Sequence, residues 1–177
     1  MTSFQQFVEQ AGRPISLAKG DHLFLQGDVD SSAYLVSTGM LKAYYLREDG
    51  REHIKSFLPE GSVIGSMVAM LDGEACTFSL VAIEDSEVIA LPYRQLAEAA
   101  QGDLALANSL VGFLAAYGRR KERREFELLS MSAEDRYANL LAEMPHVAER
   151  VSQADLASYT GITPQALSRI KRRNKTR

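Results

Sequence analysis

Four polar side chains near the end of the chain share one face of a predicted helix. They are spaced i, i+3, i+4 and i+7, and residues at these intervals lie together on an α-helix. The four are Gln165, Ser168, Arg169 and Arg172. Glutamine presents the donor and acceptor pair that matches adenine, and arginine can make two parallel hydrogen bonds to guanine. The chemistry predicted for this face is therefore hydrogen bonding to base edges in the major groove of DNA.

Capping residues delimit two short helices around this face. Ser152 is a favoured N-cap residue, and Gly161 tolerates the left-handed conformation in which helices often end. Thr163 then caps a second helix, with Pro164 at its first position, where proline is favoured. Two short helices joined by a glycine-containing turn predict a helix-turn-helix. The predicted helices are Gln153–Tyr159 and Pro164–Arg173.

The charge distribution agrees with a nucleic-acid partner. The whole chain of 177 residues has a net charge of −3, but residues 151–177 hold six basic side chains and one acidic one. A basic end on an acidic body is typical of a segment that binds a polyanion. The alternative is a helical hairpin whose polar face is only solvated. The predicted DNA-binding residues are Ser152, Thr163, Pro164, Gln165, Ser168, Arg169, Arg172, Arg173 and Lys175.

Residues 13–92 have the pattern of an antiparallel β-domain. Glycines recur through this region, with short strand-forming runs between them. Asp49 and Gly50 separate two alternating runs, which is a strong hairpin signal. Short strands at this spacing favour a sandwich or barrel. Because helical periodicity follows Pro92, the fold class is α+β.

A long helix is predicted over residues 103–129. One apolar stripe follows a 3-4-3-4 spacing, as at a helix–helix seam, and predicts a homodimer. It comprises Leu104, Ala107, Val111, Leu114 and Gly118. The second stripe would cover the β-domain and comprises Leu106, Leu110, Phe113 and Tyr117. The alternative is that a monomer buries both stripes. The charged run at residues 119–125 is predicted to be solvated.

Several classes of protein are excluded on composition. Cys76 is the only cysteine, and the three histidines are scattered, so no metal site and no cofactor is expected. No serine–histidine–aspartate set or phosphate-binding loop stands out, which predicts a protein that is not an enzyme. Neither a membrane-spanning run nor a signal peptide is visible in the sequence. We therefore expect a cytoplasmic location and no membrane partner.

The chain resembles the Crp/Fnr family of bacterial transcription regulators. The specific part is Gln153-Ala154-Asp155-Leu156-Ala157 followed by Gly161-Ile162-Thr163-Pro164-Gln165-Ala166-Leu167-Ser168-Arg169-Ile170. The resemblance implies a double-stranded β-helix or jelly roll of the cyclic-nucleotide-binding type, with flanking short helices, over residues 1–102. It implies a dimerisation helix at 103–129 and a helix-turn-helix domain at 130–177. It also implies a homodimer on palindromic promoter sites of double-stranded DNA, with RNA polymerase as a further partner.

The effector cassette departs from the cyclic-AMP-binding members. The resemblance aligns Gly65 with the cassette glycine, but Ser66 replaces the glutamate that holds the ribose. Cys76, followed by Thr77, falls where those members place the phosphate-binding arginine. The same register puts Lys121 and Glu122 at the positions that contact the purine. We therefore expect a degenerate pocket that does not bind cyclic AMP, which leaves an unknown small-molecule effector or none.

Two further expectations follow from the same region of the sequence. Few residues follow the predicted recognition helix in the sequence, too few for a wing hairpin on that side, and residues 145–150 are predicted to be a short loop. The main competing function is a small-molecule-binding or protein-interaction module that does not bind DNA. The basic tail and the Gln165, Ser168 and Arg169 face favour the DNA-binding function over that module.

Overall fold

Eight antiparallel strands form two stacked sheets in the computed structural model, which describes the backbone of residues 3–175 and the side chains of residues 3–173. The strand order is β1-β8-β3-β6 in one sheet and β2-β7-β4-β5 in the other. The strands are β1 Arg13–Leu17, β2 His22–Phe24, β3 Ser32–Thr38, β4 Met40–Leu46, β5 Glu52–Pro59, β6 Val63–Ile64, β7 Ser79–Ala82 and β8 Ser86–Pro92. The predicted β-domain is thus present.

Strand pairing explains why the hairpin signal was reliable. Strands β4 and β5 pair with Leu41 opposite Leu58, and Gly50 in their connection has φ +77°. That backbone conformation is one that glycine adopts without a steric penalty. Leu41, Leu80 and Val88 are fully buried between the two sheets. Alternate residues of each strand therefore fill one shared apolar core.

Eight helices accompany the sheets within the described residues. They are α1 Phe4–Ala11, α2 Met67–Asp72, α3 Tyr93–Gly102, α4 Leu104–Ser130, α5 Ala133–Glu143, α6 Pro145–Arg150, α7 Gln153–Thr160 and α8 Pro164–Lys175. The prediction of a loop at residues 145–150 was wrong. Pro145 ends α5 but also begins α6, because a proline at the first helical position needs no amide donor. Helix α2 was missed since six residues are too few to show a helical period.

Helix α4 lies against the β-domain along one side only. Asp103 caps it by accepting hydrogen bonds from the amides of Ala105 at 2.8 Å and Leu106 at 3.1 Å. Leu106 is buried, and the Phe4 and Phe113 ring centroids are 4.8 Å apart. The stripe predicted to cover the β-domain does so. On the other stripe, Leu104 and Val111 are largely exposed.

The C-terminal helices pack on the outer face of the second sheet. Ser158 on α7 donates to the Glu52 carbonyl at 2.7 Å and accepts from the Ile54 amide at 3.1 Å. Lys42 lies 3.1 Å from Asp155. Arg150 lies 2.8 Å from Glu60 and also pairs with Glu84. These polar contacts surround an apolar cluster that both regions share.

Candidate nucleic-acid interface

Local capping interactions set the direction of the two helices of the motif. The Ser152 hydroxyl accepts a hydrogen bond from the Asp155 amide at 3.0 Å. Helix α7 ends at Gly161, which has φ +73°. The Thr163 hydroxyl then accepts from the Ala166 amide at 3.2 Å, which fixes the start of α8. The predicted caps are therefore the interactions that hold the turn.

Helix α8 has an inner and an outer face. Leu167 and Ile170 are buried against Leu156 and Ala157 of α7 and other apolar residues. Gln165, Ser168, Arg169 and Arg172 are all exposed. Docking of the C-terminal helices on the sheet leaves this outer face accessible. The four side chains that the sequence spacing predicted to share one face therefore lie together on the exposed face of α8.

Two arginines that sequence reasoning did not single out support the turn. Arg136 donates to the Thr160 carbonyl at 2.9 Å and to the Met131 carbonyl at 2.6 Å. The Arg124 guanidinium lies 3.8 Å from the centroid of the Tyr159 ring and donates to the Tyr159 carbonyl. Cationic side chains thus satisfy carbonyls that the end of α7 would otherwise leave unpaired. Burial lowers the pKa of Arg124.

The prediction that residues 119–125 are solvated was wrong for two of them. Arg124 and Lys121 are partly buried, whereas Glu122 is exposed. A charged run on a helix shows the same period whether it faces water or a neighbouring region of the chain. Arg124 follows Tyr117 by about two helical turns and so lies on the side of α4 that carries the second apolar stripe. That spacing does not separate a buried arginine from an exposed one.

The remaining predicted DNA-binding residues are on the surface. Arg173 lies 2.9 Å from Glu134, and both side chains are largely exposed. Exposed pairs of this kind contribute about 0–1 kcal/mol, so a phosphate can replace the carboxylate. Ser152, Thr163 and Pro164 are exposed at the helix starts. The Lys175 side chain lies outside the described residues.

The predicted effector residues differ in burial and in their surroundings. A β-carbon on Gly65 would lie 2.7 Å from the Ser32 carbonyl oxygen, so only glycine fits there. Ser66 and Cys76 are buried, whereas Thr77 is exposed. The Ser66 hydroxyl has no hydrogen-bond partner among the described residues. Lys121 lies beside Lys55, and the two side chains line a cleft that Gly65, Ser66 and Cys76 do not line.

Lys55 is a functional candidate that the sequence did not reveal. Its ammonium lies 3.8 Å from the centroid of the buried Phe78 ring. Burial, and then the positive charge of Lys121, lower the pKa of Lys55 to about 7. A single lysine in an alternating strand gives no indication of which face it occupies once a bulge shifts the register, as happens between Ala43 and Tyr44 of the paired strand.

We expect Lys55→Met to stabilise the protein at neutral and acidic pH. The native pKa lies below the unfolded value of 10.5, so the native state holds fewer protons in this interval and stability rises with pH. The variant should gain about 1 kcal/mol or more below pH 7, since each unit of pKa depression corresponds to about 1.4 kcal/mol.

Urea denaturation of both proteins between pH 6 and 9 measures this difference. The advantage of the variant should decrease as pH rises from 7 to 9. Lys19→Met, at an exposed position, serves as the matched control and should leave the free energy of unfolding nearly unchanged. A Lys55→Met protein less stable than the wild type at pH 6 would contradict the assignment.

The stripe predicted to form a dimer seam is largely exposed in the chain. Leu104 is 76% exposed and Val111 is 64% exposed. Leu114 is 38% exposed, Ala107 is partly buried and Gly118 is exposed.

No helix in the described part of the chain is long and apolar enough to cross a membrane. The described residues contain no group of three or more histidine, cysteine, aspartate or glutamate side chains that could hold a metal ion.

The fold and the exposed motif define a class of protein, namely a β-roll joined through a long helix to a helix-turn-helix. Residues 14–103 match the cyclic nucleotide-binding domain family. Transcriptional activator protein Anr of Pseudomonas protegens is 27% identical over 96% of this chain and 72% of its own. The cyclic AMP receptor protein of Thermus thermophilus is 28% identical over 96% of this chain and 76% of its own.

Solved structures show the same architecture. FixK2 from Bradyrhizobium japonicum superposes with a TM-score of 0.82 and 26% identity, over 94% of this chain and 85% of that one. The chain belongs to the Crp/Fnr family of DNA-binding transcription regulators, which carry a cyclic nucleotide-binding domain. The family and fold predicted from the sequence are confirmed.

Proposed function

We propose that this regulator acts as a homodimer that reads a palindromic DNA site with helix α8. The observation that carries the proposal is the exposed polar face of α8 on a capped helix-turn-helix. Arg169 and Gln165 lie in the N-terminal half of that helix, the part that approaches base edges in this class of motif. Two such helices in a dimer would read half-sites about one helical turn apart.

Surface charge further along α8 supports a division of roles. Arg172 and Arg173 follow the proposed base-reading residues by about one turn, and Lys175 ends the helix. Phosphate contacts position a protein on DNA, whereas base contacts specify the sequence. We assign Arg172, Arg173 and Lys175 to phosphate contacts. The other three predicted residues, Ser152, Thr163 and Pro164, lie at the starts of the two helices, which we expect to approach the DNA backbone.

The exposed stripe of α4 supports the homodimer. Leu104, Val111 and Leu114 present large aliphatic groups to solvent. Their 3.5-residue spacing is that of a seam between two paired helices. A second copy of the same helix about a two-fold axis would cover this stripe and bring two recognition helices to the same side.

The function proposed is regulatory and not enzymatic, and RNA polymerase is the expected further partner on promoter DNA. Cyclic AMP is not expected to be the effector. Ser66 and Cys76 supply neither the carboxylate nor the cation that the resemblance assigns to the sugar and phosphate. A charge-assisted contact is worth about 1.5–3 kcal/mol, so losing the arginine alone weakens binding by roughly 10- to 150-fold.

Selection of binding sites from random DNA tests the proposal. Arg169→Ala should flatten the preference at one base position in each half-site, a loss of about 1–3 kcal/mol of discrimination. Lys175→Ala, the matched control, should weaken binding to all sequences alike and lower the salt slope by roughly one unit per subunit. Running both variants at two salt concentrations separates the two effects.

Two outcomes would contradict the proposal. If Arg169→Ala weakened all sequences equally and left the selected motif unchanged, Arg169 would be a phosphate contact. If the wild type enriched no motif at low salt, the chain would belong to the competing class of modules that do not read DNA.

A further inference from the structure

A basic cleft lies where β5, α4 and the C-terminal helices meet. Its volume is about 460 Å³, within the range of small-molecule sites. Five cationic or titratable basic side chains line it: Lys55, Arg120, Lys121, Arg124 and His146. Aromatic rings from Tyr117 and Tyr159 complete the wall. The cleft therefore combines positive charge with flat apolar surface.

The positive charge in the cleft exceeds the negative charge that the protein places beside it. Within residues 3–173, neither Lys55 nor Lys121 has a carboxylate oxygen within 4.0 Å, and the same holds for Arg120. Glu60 lines the cleft, but Arg150 binds both of its carboxylate oxygens. Arg124 has a distant partner, since its guanidinium is 3.8 Å from Glu127.

Two adjacent, partly buried ammonium groups are unfavourable without a counter-charge. Lys55 and Lys121 lie close enough that each perturbs the other's proton affinity. Burial removes hydration from a charged group, and the interior compensates only when an opposite charge is paired with it. Elsewhere on the surface, Lys42 and Arg150 have such partners. An anion from solution would supply the missing charge in the cleft.

We propose that this cleft binds a small effector that carries at least two oxyanion groups, phosphate or carboxylate, held by Lys55 and Lys121. Of the residues that the resemblance assigns to the effector pocket, Lys121 lines this cleft, whereas Gly65, Ser66 and Cys76 do not. Arg120 extends the positive surface toward solvent. The aromatic walls set the width of the ligand.

The position of the cleft links ligand binding to the recognition helix. Lys55 belongs to β5, Lys121 to α4, and Tyr159 to α7, the first helix of the helix-turn-helix. Arg124 contacts Tyr159 and lies on the same helix as Lys121. A ligand that joins these elements stabilises the placement of α7, and with it that of α8. This regulatory consequence rests on the proposed DNA-binding function, whereas ligand binding itself does not.

Calorimetric titration and thermal unfolding of the full chain test the site. The probes are pyrophosphate, citrate and cyclic AMP, each at low salt. We expect pyrophosphate or citrate to bind and to raise the melting temperature, and cyclic AMP, with one charge, to bind at least tenfold more weakly. Preference for pyrophosphate assigns phosphate chemistry to the ligand, and preference for citrate assigns carboxylate chemistry.

Variants locate the bound anion. Lys55→Met and Lys121→Gln should each lower the affinity for the preferred probe at least tenfold. Lys19→Met removes the same charge from an exposed position and should bind like the wild type. Because Lys55→Met is expected to be more stable than the wild type, loss of binding in that variant cannot be ascribed to unfolding.

The results that would overturn the site are distinct from failure of the DNA-binding proposal. The proposed site would be overturned if neither pyrophosphate nor citrate bound at 10 mM, a dissociation constant that corresponds to a binding free energy of about 2.7 kcal/mol. Equal binding by the wild type and both cleft variants would do the same. These titrations contain no DNA, so an anion that binds a protein unable to select a DNA motif leaves the cleft in place and removes only the regulatory role.

Discussion

Replacing Leu114 by aspartate is expected to convert the proposed homodimer into monomers. Leu114 lies on the exposed stripe of α4 and is 38% exposed in the isolated chain. An uncompensated buried charge costs about 3–5 kcal/mol, and two-fold symmetry would place one in each subunit. At about 1.4 kcal/mol per tenfold change, the dimer dissociation constant should rise by about four to seven orders of magnitude.

Sedimentation equilibrium measures this change, and Val111→Asp provides an independent variant at a more exposed position of the stripe. Leu25→Asp is the matched control, since Leu25 is 47% exposed and follows strand β2 of the β-domain. We expect Leu25→Asp to sediment like the wild type. Dimers of unchanged affinity in both α4 variants would remove the stripe from the interface.

Truncating Leu167 to alanine should unfold the recognition motif well before the β-domain is affected. Leu167 is 1% exposed and packs in the cluster that includes Tyr137, Leu140 and Leu156. Removing the three carbons beyond Cβ from a buried leucine costs about 2–5 kcal/mol, depending on how far the site collapses. Affinity for DNA should fall with the population of folded motif.

Urea denaturation followed by circular dichroism measures the loss. Leu141→Ala is the matched control, because Leu141 is 40% exposed on α5 and surface changes of this kind usually stay within about 0.5 kcal/mol. If Leu167→Ala cost no more than the control, α8 would not depend on its inner face for stability.

The recognition motif was predictable because local interactions determine it. The hydroxyls of Ser152 and Thr163 bond to amides three residues away, and the left-handed conformation of Gly161 lets α7 end there. Such contacts require no distant part of the chain. The hairpin at Gly50 is local in the same sense, and both were found from residue type and spacing.

The two apolar stripes of α4 show how much helical periodicity can predict. Spacing separated the stripe of Leu106 from the stripe of Leu104, and Leu106 proved buried while Leu104 stayed exposed. The same reasoning failed at Lys121 and Arg124, which lie in a charged run. A helical period tells which residues share a side, but not whether that side meets solvent or another region of the chain.

The sequence by itself determined the β-domain, the long helix and the polar face of α8, because backbone propensity, capping and hydrophobic period act over a few residues. Only the tertiary structure decided that Lys55 lies beside Lys121, that Arg124 stacks on Tyr159 and that Arg150 binds Glu60. These pairs join residues that are far apart along the chain. Their proximity depends on sheet register and on how the C-terminal helices dock, and neither is encoded in local spacing.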